Sequence, residues 1–239
     1  VLTPEQIIKL ALSPVDKWIN TARADSTKLQ MHYYGTGLSE YLTQIQGLEN
    51  EDQIKLRKKH AISNQFLTDS LLRPIDNVWA AKGGSIKINL PDNLTDAFID
   101  KLKDVKAGYN IKEYLKNVWK DSFITDPNGL IFLEVEPDEE EAYLTQKSIF
   151  HIKNMKLHGL TPEYVCFEPH IIEETNEKET IKTLWVVDDA FYSLVIIKDT
   201  DEAKIELQLP NTFSRVPAIV NSSIVDTQRK IKVSPIHKQ

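Results

Sequence analysis

Hydrophobic residues recur at helical spacing through the first half of the chain. Thr3, Pro4 and Gln6 form the signature of a helix start, with an N-cap hydroxyl, a proline at the first helical position and a glutamine that completes a capping box. Ser13 and Pro14 repeat the serine–proline pattern and predict that a second helix begins there. The sequence therefore predicts two short helices at the start of the chain.

The next part of the chain combines a break with longer helical patterns. Two glycines interrupt the stretch 29–37, which predicts a loop or a short strand. Apolar residues then recur at three- and four-residue spacing from 51 to 79 and predict a long helix that Pro74 ends or kinks. Two further helices are predicted over 94–108 and 110–124. In the last of them three apolar side chains are expected on one face: Leu115, Val118 and Trp119.

After Asp126 the pattern changes to short runs rich in valine, isoleucine, leucine and aromatic residues, separated by turn sequences. These runs predict strands over 129–137, 162–174, 180–189, 191–199, 203–210 and 216–221. Strands joined by such short turns pair antiparallel, because a parallel pair needs a crossover of roughly a dozen residues or more. The sequence therefore predicts an α+β fold, with a mainly helical part over 1–125 and a mainly antiparallel β meander over 126–239.

Composition limits the classes of function. The 239 residues are 41% hydrophobic and 27% charged, as in an ordinary globular protein. The net charge of −6 argues against a dedicated nucleic-acid-binding domain, because such domains carry a basic surface. No apolar run approaches the roughly 20 residues that span a bilayer. Cys166 is the single cysteine, which excludes an internal disulfide and favours a reducing compartment such as the cytosol.

The stretch "DPNGLIFLEVEPDEEEAY" (126–143) is unusually rich in carboxylates. It opens on a turn sequence, with proline at the second position and Asn-Gly at the end. In the strand that follows, Phe132, Glu134 and Glu136 point to one face, which is the minimum geometry for a carboxylate pair. Residues 137–141 favour a helix start. The stretch predicts a solvated turn and a wet strand face, and a metal-dependent hydrolase that uses these acids is the alternative.

The other candidate motifs do not match a known chemistry. His151, His158, Cys166 and His170 lack the close pairs of a zinc site. Cys166 fits a small core residue, and the stretch between the first two histidines looks like a surface connection. Gly83-Gly84 fits a helix C-cap and turn, and phosphate-loop, dinucleotide and nucleophile motifs do not occur. The sequence therefore predicts no enzyme, no catalytic or metal-binding residue, and no cofactor.

The densest positive run is "KLRKKH" (55–60). On a helix its charges spread around nearly a full turn. This distribution favours a solvated or subunit-facing surface over a nucleic-acid groove.

Four pieces of the sequence, in this order, resemble the wing region of the portal proteins of tailed bacteriophages, which form the head-to-tail ring. The first is an aromatic and glycine-rich stretch, "HYYGTGLSEYL" (32–42), and the second is a long helix with a basic start, "RKKHAISNQFLTDSLLRPIDNVWAAKGGSIKI" (57–88). The third is a helix that leads into the acidic strand, "DSFITDPNGLIFLEVEP" (121–137). The fourth is a strand with an arginine–valine–proline core, "NTFSRVPAIVNSS" (211–223). The resemblance covers most of the chain by the order of elements but by few identities. The last piece is the most specific.

The resemblance implies a structural virion protein, without enzymatic activity or cofactor. It would be one subunit of a homo-oligomeric ring, a dodecamer, at the capsid vertex through which DNA is packaged and ejected. The implied partners are the major capsid protein, the head–tail adaptor, the terminase, and double-stranded DNA that passes non-specifically through the channel. Neither a membrane nor a small-molecule substrate is implied. The expected location is the virion and, during assembly, the host cytoplasm. The family's stem, clip and crown would belong to a longer chain of which this is an N-terminal portion.

Within such a ring, Arg57, Lys58, Lys59 and Arg215 become candidates for salt bridges between subunits, each worth about 0–1 kcal/mol when exposed. The acids of 126–143 would face solvent or a neighbouring subunit. A negative net charge would let DNA pass without binding, because it repels the phosphates. A generic assembly module outside the portal class is the remaining alternative.

Overall fold

The computed structural model describes residues 1–34, 44–59, 73, 76–77, 79, 96, 100, 102–105, 108–135, 142–174, 180–198, 202–222, 224–226 and 230–232. The chain divides into two compact units. The first consists of Val1–Ala24 and Pro127–Gln239, and the second of Asp25–Asp126. The boundary of these units differs from a division into helical and β parts at residue 125, because the N-terminal segment belongs with the strands.

The first helix, α1 (Pro4–Leu12), begins where the sequence predicts. The Thr3 hydroxyl accepts a hydrogen bond from the Gln6 amide at 3.3 Å, and the Gln6 side chain accepts one from the Thr3 amide at 2.8 Å. This reciprocal capping box satisfies two amides that have no partner inside the helix. The buried side chains of α1 are Ile7 and Ala11, which pack in a core with strands of the large sheet.

The second helix, α2 (Lys17–Tyr34), differs from the prediction at both ends. Ser13 is the C-cap of α1 and does not start a helix; its amide donates to the Lys9 carbonyl at 2.9 Å. The Asn154 side chain holds the connection, because its Oδ1 accepts the Asp16 amide at 2.9 Å and its Nδ2 donates to Ser13 Oγ at 2.7 Å. The helix then continues to Tyr34, so the predicted loop or strand over 29–37 is wrong for its described part.

Two more helices are described in the second unit, α3 (Glu51–Lys59) and α4 (Ile111–Thr125). In α4 the predicted residues Leu115, Val118 and Trp119 lie three and four positions apart and so share one face of the helix. Val118 is buried, whereas Trp119 is 37% exposed. Most of the predicted helix over 51–79, with Pro74, and the Gly83-Gly84 turn lie outside the described residues. No described helix combines the length and the apolar character needed to cross a membrane.

Two helical segments of the second unit contact each other at positions three residues apart. Lys116 Nζ lies 2.9 Å from Asp76 Oδ1. The rings of Trp79 and Trp119 meet edge to face, with centroids 5.9 Å apart. Because both contacts advance by three residues along each segment, the two segments run side by side in the same direction over about one turn.

All described strand pairs are antiparallel, which confirms the predicted α+β class with a strand meander in the C-terminal half. A three-stranded sheet has the order β2-β1-β9, a hairpin joins β10 to β11, and the large sheet has the order β3-β4-β6-β7-β8, with β5 also beside β6. The strands are β1 (Leu130–Val135), β2 (Ala142–Lys147), β3 (Ile152–His158), β4 (Thr161–Phe167), β5 (His170–Glu174), β6 (Thr180–Val187), β7 (Phe191–Ile197), β8 (Ala203–Pro210), β9 (Ala218–Val220), β10 (Val225–Asp226) and β11 (Ile231–Lys232).

Four described strands are absent from the sequence prediction: β2, β3, β10 and β11. The segment that contains β3 looks like a surface connection in the sequence, but Ile152, Asn154 and Met155 are buried there. Its pairing with β4 shifts register twice, so buried and exposed residues do not alternate along it. A strand with such shifts gives no clear two-residue pattern, which is why the prediction was wrong.

Two hydrophobic cores hold the first unit together. One face of the large sheet packs on α1, and Cys166 lies fully buried in this core, as the sequence predicts. The other core joins the start of α2, the three-stranded sheet and the opposite face of the large sheet; its fully buried members include Ile19, Leu130 and Met155. Both cores therefore combine N-terminal residues with residues from the second half of the chain.

Candidate functional site

The Asp-Pro-Asn-Gly turn is buried at the junction of three chain segments. Asn128 is 0% exposed. Its Nδ2 donates to the Lys232 carbonyl at 2.8 Å, and its Oδ1 accepts the Lys232 amide at 2.8 Å. The side chain therefore pairs with the β11 backbone as a neighbouring strand would. We call this pair of bonds the Asn128 clamp.

The segment after β9 is bound to the same turn. The Ser222 amide donates to the Pro127 carbonyl at 3.1 Å, and the Asn221 amide donates to the Gly129 carbonyl at 2.9 Å. The turn that the sequence predicts is confirmed, but its prediction as solvated is wrong. Backbone groups from three distant segments pair there, and pairing of this kind excludes water.

Strand β1 follows the turn and lies in the middle of its sheet. It pairs with β2 on one side and, at Leu130–Phe132, with β9 on the other. Leu130 and Phe132 are buried in the core between the sheets. The Leu133 amide also donates to the Pro217 carbonyl at 2.9 Å. The arginine–valine–proline segment is therefore hydrogen-bonded directly to the strand that follows the Asp-Pro-Asn-Gly turn.

Glu134 lies on the same face as Phe132, as predicted, but that face is the inward one. The prediction of a wet face is therefore wrong, because Leu130 and Phe132 on this face pack in a core with side chains of α2 and the large sheet. The Glu134 carboxylate lies 2.5 Å from Lys147 Nζ on β2, with both side chains 27% exposed. The Glu134 carboxylate therefore already has a cationic partner on the neighbouring strand. Glu136 and the acids at 138–141 lie outside the described residues.

The histidine and cysteine candidates do not form a metal site. His151, His158 and His170 are exposed, whereas Cys166 is buried. Burial raises the pKa of the Cys166 thiol to about 12, which makes it a poor nucleophile and ligand. Within the described part of the chain, no group of three or more His, Cys, Asp or Glu residues could hold a metal ion.

Arg215 projects from a loop that Asn211 organises. Asn211 Nδ2 donates to the carbonyls of Asp188 at 2.7 Å and Arg215 at 2.8 Å, and its Oδ1 accepts the Phe213 amide at 3.0 Å. Ser214 adopts a left-handed backbone conformation with φ 53°. Arg215 is exposed while the next residue, Val216, is buried. The ordered loop backbone therefore fixes the point from which the exposed Arg215 side chain extends.

Buried Asp188 supports this loop from the β6–β7 turn. Its Oδ1 accepts the amides of Ala190 at 2.8 Å and Phe191 at 2.7 Å, and its Oδ2 accepts the Leu2 amide at 2.6 Å. A buried carboxylate that accepts several amide hydrogen bonds is well satisfied and structural.

The basic candidates on α3 have different environments. Arg57 forms a bidentate ion pair with Glu49, with Nε–Oε1 and Nη2–Oε2 distances of 2.8 Å. Its charge is therefore already matched within the second unit. Lys58 and Lys59 are exposed at the C-terminal end of the helix, where cations favour the helix dipole.

Sequence reasoning placed Asn128 in a turn but missed its partner, and it missed the structural role of Asn211 altogether. Asparagine is typical of turns because its side chain pairs with nearby backbone groups, and that signal was present at both positions. The partner of Asn128 lies 104 residues away, and no local pattern indicates it.

The chain matches no protein-family model and none of the curated proteins with which it was compared.

Proposed function

We propose that this chain is a structural subunit of the portal ring of a tailed bacteriophage. The observation that carries the proposal is the pairing of β1 with β9. Two of the pieces that resemble the portal wing, 121–137 and 211–223, are distant in sequence, yet they lie side by side in one sheet. The antiparallel meander from β3 to β8 is inserted between them. This arrangement agrees with a wing in which the strand after the inserted meander returns to the body of the subunit.

The proposed role is to build a closed channel and not to perform chemistry. The described polar side chains of Asn128, Asp188 and Glu134 form their hydrogen bonds and ion pairs with other groups of the same chain. The whole excess of acidic over basic residues lies in the first unit. An acidic surface repels phosphates, which would let double-stranded DNA pass the ring without binding to it.

The proposal includes the partners and the location that the resemblance to the portal family implies. Copies of this chain would form a dodecameric ring in the virion, assembled in the host cytoplasm. The ring would contact the major capsid protein, the head–tail adaptor and the terminase. It would need no membrane, cofactor or small-molecule substrate.

Arg215 is the strongest of the four candidates for a contact between subunits. No residue in the described part of the chain forms an ion pair with it, and its loop is held by three Asn211 hydrogen bonds. Exposed apolar side chains lie on the same stretch of chain: Leu207 and Leu209 are each 43% exposed and Phe213 is 41% exposed. Arginine and aromatic residues on a preorganised surface are typical of interface hot spots. Lys58 and Lys59 are second candidates, whereas Arg57 is already paired.

Negative-stain electron microscopy of the complete gene product tests the proposal. We expect closed rings with a central channel, and native mass spectrometry should give their copy number. Open filaments or rings without a channel would contradict it, and monomers at micromolar concentration would favour a generic assembly module instead.

A matched pair of variants then tests the contact. Arg215→Glu should reduce the fraction of subunits in rings, because heterologous contacts repeat around the ring and each one is weakened. Lys182→Glu makes the same charge change at another exposed position of the first unit and should leave the rings intact. Equal ring fractions for both variants would remove Arg215 from the contact.

A further inference from the structure

Asn128 is followed by glycine, and this pair has a chemistry of its own. The backbone nitrogen of the residue after an asparagine can attack the side-chain amide carbon. Glycine offers the least hindrance to that attack because it has no side chain. The Asn128-Gly129 pair is the only Asn-Gly in the chain.

The reaction is balanced by water alone. The Gly129 nitrogen loses its proton and forms a bond to Asn128 Cγ, and the bond from Cγ to Nδ2 breaks, releasing ammonia. The resulting succinimide ring then takes up one water molecule. Opening at one carbonyl gives aspartate, and opening at the other gives isoaspartate, in which the main chain runs through the former side chain.

The fold opposes the first step. Both polar atoms of the Asn128 side chain are held by Lys232 at 2.8 Å, so Cγ cannot turn towards the Gly129 nitrogen. The side chain is fully buried, so neither water nor hydroxide reaches the site to remove the proton. Reaction therefore requires the β10–β11 hairpin to leave the turn, as in a local opening of the native state.

The products cannot restore the clamp. Aspartate keeps the acceptor for the Lys232 amide but places a carboxylate oxygen where Nδ2 donated to the Lys232 carbonyl, so two acceptors face each other. Isoaspartate lengthens the main chain just before β1. It would disturb the register in which Leu130 pairs with Val220.

We propose that Asn128-Gly129 is a deamidation site that the Asn128 clamp keeps closed, and that its conversion releases the β10–β11 hairpin irreversibly. The hairpin is short, with two residues in each strand, and among its described residues Ile231 is buried. One chemical event at the turn therefore changes how the C-terminal segment is held. This inference does not depend on the portal proposal.

The test compares deamidation with amide exchange in the same molecule. The intact chain is incubated at mildly alkaline pH, folded and in urea, and peptide mass spectrometry follows aspartate and isoaspartate at position 128. Hydrogen exchange of the Lys232 amide reports opening of the clamp. We expect deamidation to be at least about tenfold slower in the folded chain, because only the open fraction reacts.

Two substitutions of Ile231 test whether the deamidation rate follows the exchange rate of the Lys232 amide. Ile231→Val removes one buried methylene-sized group and should raise the deamidation rate and the Lys232 exchange rate in proportion; Ile231→Ala should raise both further. Gly129→Ala should slow deamidation in urea, which identifies the succinimide route. After conversion, the amides of Ser222 and Lys232 should exchange faster.

Three results would overturn the inference. The first is equal deamidation in the folded and the unfolded chain, which would mean that the clamp gives no protection. The second is faster Lys232 exchange in the Ile231 variants without faster deamidation. The third is a deamidated protein whose hairpin exchanges as slowly as before.

Discussion

Replacing Asn128 by alanine should destabilise the first unit far more than a surface asparagine change would. The substitution removes two hydrogen bonds of 2.8 Å and leaves the partly buried Lys232 amide and carbonyl without partners. Each bond contributes a net ~1 kcal/mol, and unsatisfied buried groups add a desolvation cost, so the free energy of unfolding should fall by ~2–4 kcal/mol. With a urea slope of ~2 kcal/mol per molar, the midpoint should fall by roughly 1–2 M.

Thiol labelling of Cys166 is the assay for this prediction. Cys166 is the single cysteine and is buried in a core of the first unit, so a pulse of thiol reagent at each urea concentration reports unfolding of that unit. Asn20→Ala is the control. Asn20 also donates from its side chain to a backbone carbonyl, but the bond is 3.5 Å long and exposed. Its substitution should change stability by no more than about 0.5 kcal/mol. Equal midpoints for the two variants would refute the structural role assigned to the clamp.

Four further outcomes follow from the described contacts. Asn128→Asp should lose stability as pH rises, measured by thermal unfolding, because burial raises the folded-state pKa of the new carboxyl and the neutral form is favoured only at low pH; a deficit that does not depend on pH would contradict this. Arg23→Lys should lower the free energy of unfolding by ~1–3 kcal/mol, since Arg23 donates to two backbone carbonyls and pairs with a glutamate, and a lysine cannot reproduce its fork; an unchanged urea midpoint would show that the contacts are dispensable. Glu134→Gln should cost less than about 1 kcal/mol, and divalent cations should not raise the melting temperature; a cation-dependent rise that Glu134→Gln with Glu136→Gln abolishes would favour a hydrolase. Native Cys166 should resist alkylation at neutral pH and react after unfolding, because burial raises its pKa to about 12; rapid labelling of the folded chain would contradict its burial.

Local signals in the sequence were sufficient wherever the determining interactions are local. The capping box of α1 lies within four residues, and the strands from β6 to β8 are joined by short turns that specify antiparallel neighbours. The α+β class and the core position of Cys166 follow from such patterns. The turn at 126–129 could also be predicted from the sequence, because proline and Asn-Gly favour a turn in any surroundings.

The tertiary structure decided what these elements pair with and which faces are buried. Alternation along β1 shows that Phe132 and Glu134 share a face, but it does not say that this face is the inner one. That depends on side chains from distant segments, such as Ile19 and Met155, which pack against Leu130 and Phe132 in one core. In the same way Asn154 sets the start of α2 from a distant strand, and Asn128 reaches Lys232 across 104 residues. A sequence specifies local conformation through neighbouring residues, whereas burial and hydrogen-bond partners at such distances exist only once the cores have packed.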